Sequence, residues 1–274
     1  QLKKSMHSRG IRGGKVAVSI PRHEIFLKQI IFPSVDLNEL PSMCDLAIGK
    51  ELFFENQKSL YDFVVLSQTD THSKILLAAL SLKTVELIKA LLQKSGFSLS
   101  RLSFDSIGLA SLINNDESFS NDSIVVDVSS CHIELAILKD GLLVGSRSKL
   151  LTEDLKDKDK QDEILTEYKR SIASAQEIYG EDIPSQIIVI EQSDLASLFF
   201  QNLSKNIPNV CILNKHDKLI INNELENIPW SLLGLIMQGE DFSNGINFLK
   251  VRDPKAKNLE SHRKLIINSV VFLV

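Results

Sequence analysis

Three short apolar runs separated by two polar turns occupy residues 123–145 of this 274-residue chain. The first run ends near Asp127, a turn at Ser129 and Ser130 follows, the second run covers residues 133–138, and a turn at residues 139–141 precedes the third. Runs of this length bounded by turn residues are typical of β-strands joined in hairpins. The stretch therefore predicts three consecutive strands, with a carboxylate at the end of the first and two hydroxyls in the turn after it.

Segments with strand and helix patterns follow one another along the rest of the chain. Strands in hairpins, followed by helices that return to a further strand, favour mixed sheets covered by helices. The first helix pattern has Asp36 placed to cap it, and Pro41 would delay its start to Ser42. The further strands are predicted at residues 15–20, 25–32, 61–67, 74–80, 97–104, 186–190 and 210–213, and the helices at residues 37–54, 81–95, 105–113 and 194–203, with a long helix ending at residue 179.

The composition indicates a globular protein of about two domains whose main partner is not nucleic acid. Hydrophobic residues make up 43% of the chain, which is enough for substantial cores. The formal net charge is -4, whereas binding to nucleic acid usually requires a basic excess. Cys44, Cys131 and Cys211 are far apart, without metal or redox spacing, so we expect a reducing compartment and packing roles for all three.

The last ten residues, 265–274, are mostly apolar and follow a stretch rich in Lys and Arg. A membrane-spanning helix needs about 20 apolar residues, so this run is interpreted as the first part of such a helix. A cationic flank is typical of the cytoplasmic side of a span. The alternative is a terminal buried strand, because short apolar runs fit both structures. Since the chain begins with Gln1 rather than Met and its final apolar run stops abruptly, we expect both ends to be cut.

Several motifs, in their order along residues 9–215, resemble the PilM family of type IV pilus assembly proteins and the related cytoplasmic region of GspL-type proteins of type II secretion. The motifs lie at residues 14–21, 28–33, 51–54, 78–80, 94–97, 105–110 and 126–130. Both groups belong to the actin-like ATPase superfamily. The resemblance implies an α/β, actin-like (ribonuclease H-like) fold of mixed sheets with flanking helices, truncated at its N-terminus and carrying a small inserted α/β subdomain.

The resemblance also implies a division of the chain into three parts. Residues 1–115 are expected to form an incomplete first actin-like lobe with the inserted subdomain, and residues 116–245 the second lobe. Residues 246–274 are expected to form a basic juxtamembrane segment and the start of a possible transmembrane helix. The motif Asn247-Phe248-Leu249 in that segment is similar to the tail of GspL-type proteins, which leads into one membrane span.

The segment at residues 126–130 is similar to the second phosphate hairpin of the family, which implies a nucleotide site formed by Asp127, Ser129 and Ser130. That site is degenerate, because Val128 stands where the family has glycine, and the first phosphate loop, expected before Lys15, is missing. Glu191 and its neighbours likewise replace a glycine pair that would approach the adenosine. The resemblance therefore implies no certain cofactor, with ATP and Mg as the candidate. The six histidines show no metal spacing, so no metal site is predicted.

Two functional hypotheses follow from the resemblance. The first is a non-enzymatic scaffold at the cytoplasmic face of the bacterial inner membrane. It would dock a motor ATPase or its adaptor to a PilN-like or GspM-like membrane protein. It would reach the membrane through its C-terminal segment. On this hypothesis the chain can also form a homodimer. The second is an ATP-binding actin-like protein whose nucleotide state regulates pilus assembly. A sugar kinase of the same superfamily is not supported, because neither a catalytic Asp beside a cleft nor an intact phosphate clamp is found.

Two local features have a structural and a functional interpretation. Trp230, the only tryptophan, is either an anchor for a partner or part of the chain's own core, and its apolar neighbours favour the core. The charged stretch at residues 154–163 is either a binding segment or a solvated helix start or loop, and its composition favours the latter.

Overall fold

The computed structural model describes residues 12–50, 58–152, 157–191, 193–213, 228–238 and 245–250, together with Lys3, Lys4 and Ser8. The described residues contain ten β-strands and six α-helices. They divide into two compact units, here called unit 1 (the described residues up to Phe104 and from Gly245 onward) and unit 2 (those from Asp105 to Gln238).

Unit 1 contains a parallel strand pair and a separate antiparallel sheet. The parallel pair consists of β1 (Gly14–Ile20) and β5 (Phe97–Phe104). The chain between them forms a three-stranded antiparallel sheet in the order β2-β4-β3, with two helices. Its elements are β2 (Phe26–Phe32), α1 (Leu40–Ile48), β3 (Ser59–Gln68), β4 (Ser73–Ser81) and α2 (Leu82–Lys94). The small inserted α/β subdomain predicted from the sequence is therefore confirmed.

Helix α1 is shorter than the pattern at residues 37–54 predicts. Pro41 lies in its first turn. Backbone N–H groups there have no acceptor within the helix, so the absence of an N–H in proline costs no hydrogen bond. Asp36 does not cap the helix, because its Oδ1 accepts a hydrogen bond from the Asn38 N–H at 2.9 Å and so closes a turn before it. Residues 51–54, the predicted end of the helix, lie outside the described residues. The inner face of α1 packs through Leu40, Cys44 and Ile48 on Phe63, Ile75 and Leu77 of the sheet.

The described residues 245–250 pack along β5 of unit 1. The N–H of Leu102 donates to Asn247 Oδ1 at 3.1 Å, and the N–H of Phe248 donates to Leu102 O at 2.9 Å. The N–H of Asn247 donates to Oδ2 of the buried Asp62 at 2.9 Å. Residues 251–274, with the predicted start of a transmembrane helix, lie outside the described residues. Within the described ranges, no helix combines the length and apolar character that a bilayer span requires.

Unit 2 contains a five-stranded mixed sheet in the order β10-β9-β6-β7-β8. Strands β6, β9 and β10 run parallel, whereas β6-β7 and β7-β8 are antiparallel hairpin pairs. The β7-β8 turn consists of Asp140 and Gly141, both with positive φ (50° and 73°), as the commonest two-residue hairpin turn requires. The strands are β6 (Ser123–Val128), β7 (His132–Lys139), β8 (Leu142–Leu150), β9 (Gln186–Glu191) and β10 (Val210–Leu213). The three strands predicted at residues 123–145 are confirmed.

Two helices pack on one face of the sheet of unit 2 and form a hydrophobic core with it. These are α4 (Asp157–Tyr179) and α5 (Asp194–Ser204). Ile164 and Tyr168 of α4 and Phe199 of α5 pack with Val126 and Val128 of β6. The described part of the charged stretch at residues 154–163 opens α4, where Glu163 Oε1 lies 2.8 Å from Lys149 Nζ. The interpretation of this stretch as a helix start is therefore confirmed for residues 157–163, and Lys158, Asp159 and Asp162 are exposed there.

A second pair of helices, α3 (Asp105–Asn114) and α6 (Trp230–Met237), packs in direct backbone contact within unit 2. A Cβ added to Gly108 would lie 1.9 Å from the carbonyl oxygen of Ser231, and one added to Gly234 would lie 1.8 Å from that of Gly108. Only glycine allows this approach at both positions. Helix α3 in turn packs on β7 and β8. Trp230 is 1% exposed, so its interpretation as a core residue is correct and the anchor alternative is wrong.

Candidate functional site

Two buried carboxylates face each other across the first hairpin of unit 2. The register of β6 and β7 pairs Asp127 with Glu134, and their exposed fractions are 3% and 1%. Side chains alternate between the two faces of a strand. Because Val126 and Val128 point into the core under α4 and α5, the carboxylates project from the opposite face.

Glu134 is held by hydroxyl groups in a buried polar cluster. The Ser106 hydroxyl, on α3, donates to Glu134 Oε1 at 2.5 Å, and Ser106 Oγ lies 2.9 Å from Ser146 Oγ on β8. Burial above all, together with the nearby Asp105 and Asp127 carboxylates, raises the pKa of Glu134 to about 8, although the hydrogen bond from Ser106 acts in the opposite direction. Glu134 is therefore mostly protonated at neutral pH.

His132 provides a cation beside Asp127. Its Nε2 lies 3.8 Å from Asp127 Oδ2. Pairing with this carboxylate raises the pKa of His132 to about 10, although burial acts in the opposite direction. The imidazole is therefore charged at neutral pH, so Asp127 has its counter-ion within the same hairpin.

The turn between β6 and β7 is closed by the hydroxyl of Ser129. Its Oγ accepts hydrogen bonds from the N–H groups of Cys131 at 3.3 Å and His132 at 3.0 Å, and lies 2.7 Å from His132 Nδ1. Ser130 is exposed, and its carbonyl oxygen accepts a hydrogen bond from Lys160 Nζ of α4 at 3.5 Å. The structure thus brings two of the predicted site residues, Asp127 and Ser129, to the same imidazole ring, while Ser130 lies at the outer side of the turn.

The described residues do not fit a nucleotide phosphate at this hairpin. A phosphate-binding turn presents backbone N–H groups to the anion, but those of Cys131 and His132 point to Ser129 Oγ. The side chain of Val128 is fully buried in the core, and Glu191 Oε1 accepts a hydrogen bond from the Ser197 hydroxyl at 2.5 Å. In the part of the chain that the structure describes, no group of three or more His, Cys, Asp or Glu side chains is arranged to hold a metal ion.

Four residues of this site, Ser106, His132, Glu134 and Ser146, were not predicted from the sequence. Glu134 has a usable signal, because it is the one charged residue in an otherwise apolar strand at residues 133–138. His132 has none, since its position beside Asp127 depends on the hairpin register. The N–H of Ser129 donates to His132 O, so the turn extends one residue beyond the predicted Ser129 and Ser130.

The expectation that all three cysteines are packing residues is wrong for Cys131. Cys44 is buried in the inserted subdomain and Cys211 is partly buried, but Cys131 is exposed. The reason is that Cys131 is the last residue of the turn between Val128, where β6 ends, and His132, where β7 begins, so its side chain belongs to neither strand. Its Sγ lies 3.5 Å from Ser129 Oγ and 3.7 Å from His132 Nδ1.

Comparisons with known proteins find similarity in structure. No protein-family model and no curated protein matches the sequence. One chain of the PilM-PilN type IV pilus biogenesis complex aligns with a TM-score of 0.66 and 16% identity, covering 88% of this chain and 84% of that one. The cytoplasmic domain of EpsL, an inner-membrane component of the Vibrio cholerae type II secretion system, aligns with a TM-score of 0.49 and 9% identity over 91% of this chain and 82% of that one.

A Bacteroides thetaiotaomicron protein of unknown function, described as having an actin-like ATPase fold, aligns with a TM-score of 0.47 and 14% identity over 86% of this chain and 79% of that one. Of the three similarities, only that to the pilus complex is strong enough to support an argument, and at 16% identity it concerns the fold alone. The chain therefore has the mixed α/β, actin-like fold that its resemblance to the PilM and GspL-type families predicts.

Proposed function

We propose that this chain is a non-enzymatic scaffold of a type IV pilus or type II secretion assembly platform at the cytoplasmic face of the bacterial inner membrane. It docks a motor ATPase or its adaptor to a PilN-like or GspM-like membrane protein. Its fold, shared with a chain of the PilM-PilN complex, supports this proposal. On this proposal the segment 246–274 brings the protein to the membrane.

The pairing of Asp127 with His132 is the observation that carries the proposal. In the hypothesis of a nucleotide-binding protein, the carboxylate at the end of β6 acts on the metal and the phosphates. Here it lies 3.8 Å from a charged imidazole of its own hairpin, and the donors of the turn are directed inward. The fold keeps its sheet, but the carboxylate and the N–H donors of the hairpin are paired with groups of the hairpin itself. This arrangement supports binding of proteins rather than turnover of a nucleotide.

The inserted subdomain offers a surface on which a protein partner can dock. A groove of about 610 Å³ lies between β2 and α1, here called the subdomain groove. Ile31 and Leu46 on its walls are 63% and 64% exposed and line the groove together with Met43 and Ala47, so they belong to a contiguous apolar patch. Lys28 and Lys50 also line it. Its chemistry suits an apolar segment that carries acidic residues, and we assign it to the PilN-like or GspM-like partner.

Co-purification with candidate partners tests the scaffold and its docking surface. The tagged chain is co-expressed with a PilN-like or a GspM-like protein from the same organism, and the complex is isolated in detergent. Ile31→Asp and Leu46→Asp place a charge in the subdomain groove, so each should reduce the recovered partner at least about tenfold, the loss expected from a desolvated apolar contact. Ile178→Asp is the matched control, because Ile178 is 62% exposed on α4 of unit 2.

The identity of the recovered protein distinguishes the two systems. Recovery of the PilN-like protein assigns the chain to a pilus platform, and recovery of the GspM-like protein assigns it to a secretion platform. Failure to recover either would overturn the proposal. Calorimetric titration with ATP and Mg²⁺ tests the alternative, and tight, magnesium-dependent binding would favour the ATP-binding protein whose nucleotide state regulates assembly.

A further inference from the structure

The thiol of Cys131 lies in surroundings unlike those of the other two cysteines. It is exposed at the tip of the β6-β7 hairpin, whereas Cys44 is buried and Cys211 partly buried. Its Sγ lies 3.7 Å from His132 Nδ1 and 3.5 Å from Ser129 Oγ. A reagent from solution can therefore reach this sulfur, and an imidazole and a hydroxyl lie beside it.

The imidazole next to Cys131 is oriented by a carboxylate on its far side. His132 Nε2 lies 3.8 Å from Asp127 Oδ2, and Asp127 is 3% exposed. Sulfur, imidazole and carboxylate thus form a continuous series across the hairpin. A charged imidazole beside a thiol stabilises the thiolate, which is the nucleophilic form of cysteine. The hydrogen bonds with Ser129 and His132 lower the pKa of the Cys131 thiol below its ordinary value.

Among the described residues, the other titratable side chains around the turn include Lys160, Glu134 and the ion pair of Glu163 with Lys149, which lies in register with Ile133. Lys160 Nζ of α4 lies 3.5 Å from the carbonyl oxygen of Ser130, the residue before Cys131. Glu134 lies on the same strand as His132, is buried and is mostly protonated at neutral pH. His132 and Lys160 therefore place positive charge at the turn at neutral pH, with Asp127 behind the imidazole and the Lys149-Glu163 pair neutral overall. This balance favours a thiolate and an approaching anion.

We propose that Cys131 is a modification site that undergoes thiol-disulfide exchange with anionic low-molecular-weight disulfides such as glutathione disulfide. The Cys131 thiolate attacks one sulfur of the disulfide and forms a new sulfur-sulfur bond. The original bond breaks, and the second sulfur leaves as a thiolate that takes a proton from water. The disulfide is the oxidant, and a second small thiol reverses the reaction. The added group would lie at the turn that contains Ser129 and Ser130.

The kinetics of exchange in the full chain test this proposal. The rate of reaction with 5,5′-dithiobis(2-nitrobenzoate) is measured from pH 5 to 10, and glutathione disulfide is then used with mass spectrometry of the intact protein. We expect one fast thiol per chain, a rate profile with its midpoint below about 8.5, the value for a free cysteine, and one glutathione adduct. Cys131→Ser should remove the fast phase and the adduct, while Cys44 and Cys211 remain as internal comparisons.

A substitution of His132 tests whether its imidazole activates the Cys131 thiol. His132→Gln should raise the midpoint by one unit or more and slow the reaction at pH 7 by about tenfold, because one pKa unit changes the thiolate fraction by about that factor. An unchanged rate in a folded His132→Gln variant would overturn the proposal. If the variant does not fold, the pH-rate profile of the unmodified chain decides. A midpoint at or above that of free cysteine would overturn the proposal. An adduct on another cysteine would also overturn it.

Discussion

Asp127 and Glu134 are neighbours on adjacent strands, and their surroundings give them different charge states. His132 provides Asp127 with a counter-ion, whereas Glu134 is enclosed by Ser106 and buried. A buried carboxyl group without a cation of its own keeps its proton, because the charged form is poorly solvated. At neutral pH His132 is therefore charged and Glu134 keeps its proton, and both states determine how the stability of the hairpin responds to pH.

The raised pKa of Glu134 predicts that the folded state loses stability as pH rises. Its value is about 8 in the folded chain against about 4.3 in an unfolded one, so the folded state binds more protons between these values. The free energy of unfolding should fall through this window. Glu134→Gln remains neutral, so it should lose this slope and become more stable than the unmodified chain as pH rises above 8, by up to about 5 kcal/mol.

Urea unfolding followed by circular dichroism from pH 5 to 9 measures this effect. Glu177→Gln serves as the control, because Glu177 is exposed on α4 and its replacement should leave the slope unchanged. A Glu134→Gln variant that retains the full slope of the unmodified chain would contradict the assignment.

The pairing of His132 with Asp127 predicts a second pH dependence of the same sign. The pKa of His132 is about 10 in the folded chain and about 6.5 in an unfolded one, so its contribution is fully present below about pH 6.5 and is lost as pH rises through 10. His132→Gln leaves Asp127 buried without its cation and should lower the free energy of unfolding at pH 6 by about 3 kcal/mol. The difference from the unmodified chain should shrink toward pH 10, and an equal difference at both pH values would show that the pairing is not electrostatic.

For individual residues, the sequence predicts where a residue lies along the chain's strands and turns better than it predicts which other residue it contacts. Asp127 at the end of a strand and Ser129 in a turn follow from local patterns, and both are found there. The contact of Asp127 with His132 requires the register of the hairpin, which changes when the turn lengthens by one residue. The exposure of Cys131 was missed for the same physical reason.

Among the secondary-structure elements, α3 and α6 show how a contact between distant segments depends on two small residues. The carbonyl of Gly108 lies where a side chain on Gly234 would begin, and the carbonyl of Ser231 lies where a side chain on Gly108 would begin. Helices whose backbones touch in this way bury their common surface completely, and residues 106–113 of α3 are all buried. The crossing therefore tolerates no added atom at either position.

Alanine at either glycine should destabilise unit 2. A Cβ less than 2 Å from a backbone oxygen forces the helices apart, so Gly108→Ala and Gly234→Ala should each lower the free energy of unfolding by about 3 kcal/mol or more. Gly49→Ala is the matched control. Gly49 has a φ of -61° and its added Cβ would meet its nearest atom at 3.5 Å, so that change should stay within about 1 kcal/mol. Urea unfolding measures all three, and equal effects would contradict the close crossing.

The elements themselves differ in how far local sequence predicts them. The strands of the hairpins at residues 123–150 were predicted closely, because alternation and turn residues such as Asp140 and Gly141 act over a few positions. Helix α1 ends earlier than its apolar pattern predicts, and α6 was not predicted, since its position depends on packing against α3 rather than on a local signal. The pairing of Gly108 with Gly234 joins segments more than a hundred residues apart, which no local pattern reveals.

At the scale of the whole molecule, the two units differ in which parts of the chain form them. Unit 1 combines residues from both ends, because the segment at 245–250 pairs with Leu102 and Ser103 of β5. Unit 2 is continuous in sequence from Asp105 onward. A continuous unit with its own sheet and cores on both faces has what independent folding requires.

Unit 2 should therefore fold by itself, provided that α6 is present. A chain of residues 105–241 should unfold in one cooperative transition, with Trp230 emitting at the short wavelengths of a buried indole, since it is 1% exposed. A chain of residues 105–213 has every strand of the five-stranded sheet but lacks the helix that covers α3. It should bind the dye anilinonaphthalene sulfonate and aggregate. Equal dye binding and equal cooperativity in the two chains would contradict the role given to α6.

The contact between α3 and α6 also has a consequence for biosynthesis. When the ribosome has added Leu213, the nascent chain contains the whole five-stranded sheet, yet α6 has not been made. Until translation reaches Trp230 and its neighbours, the apolar side of α3 stays uncovered, which is the condition in which chaperones bind emerging chains. Ribosome stalling within this interval would thus release fragments that cells must degrade.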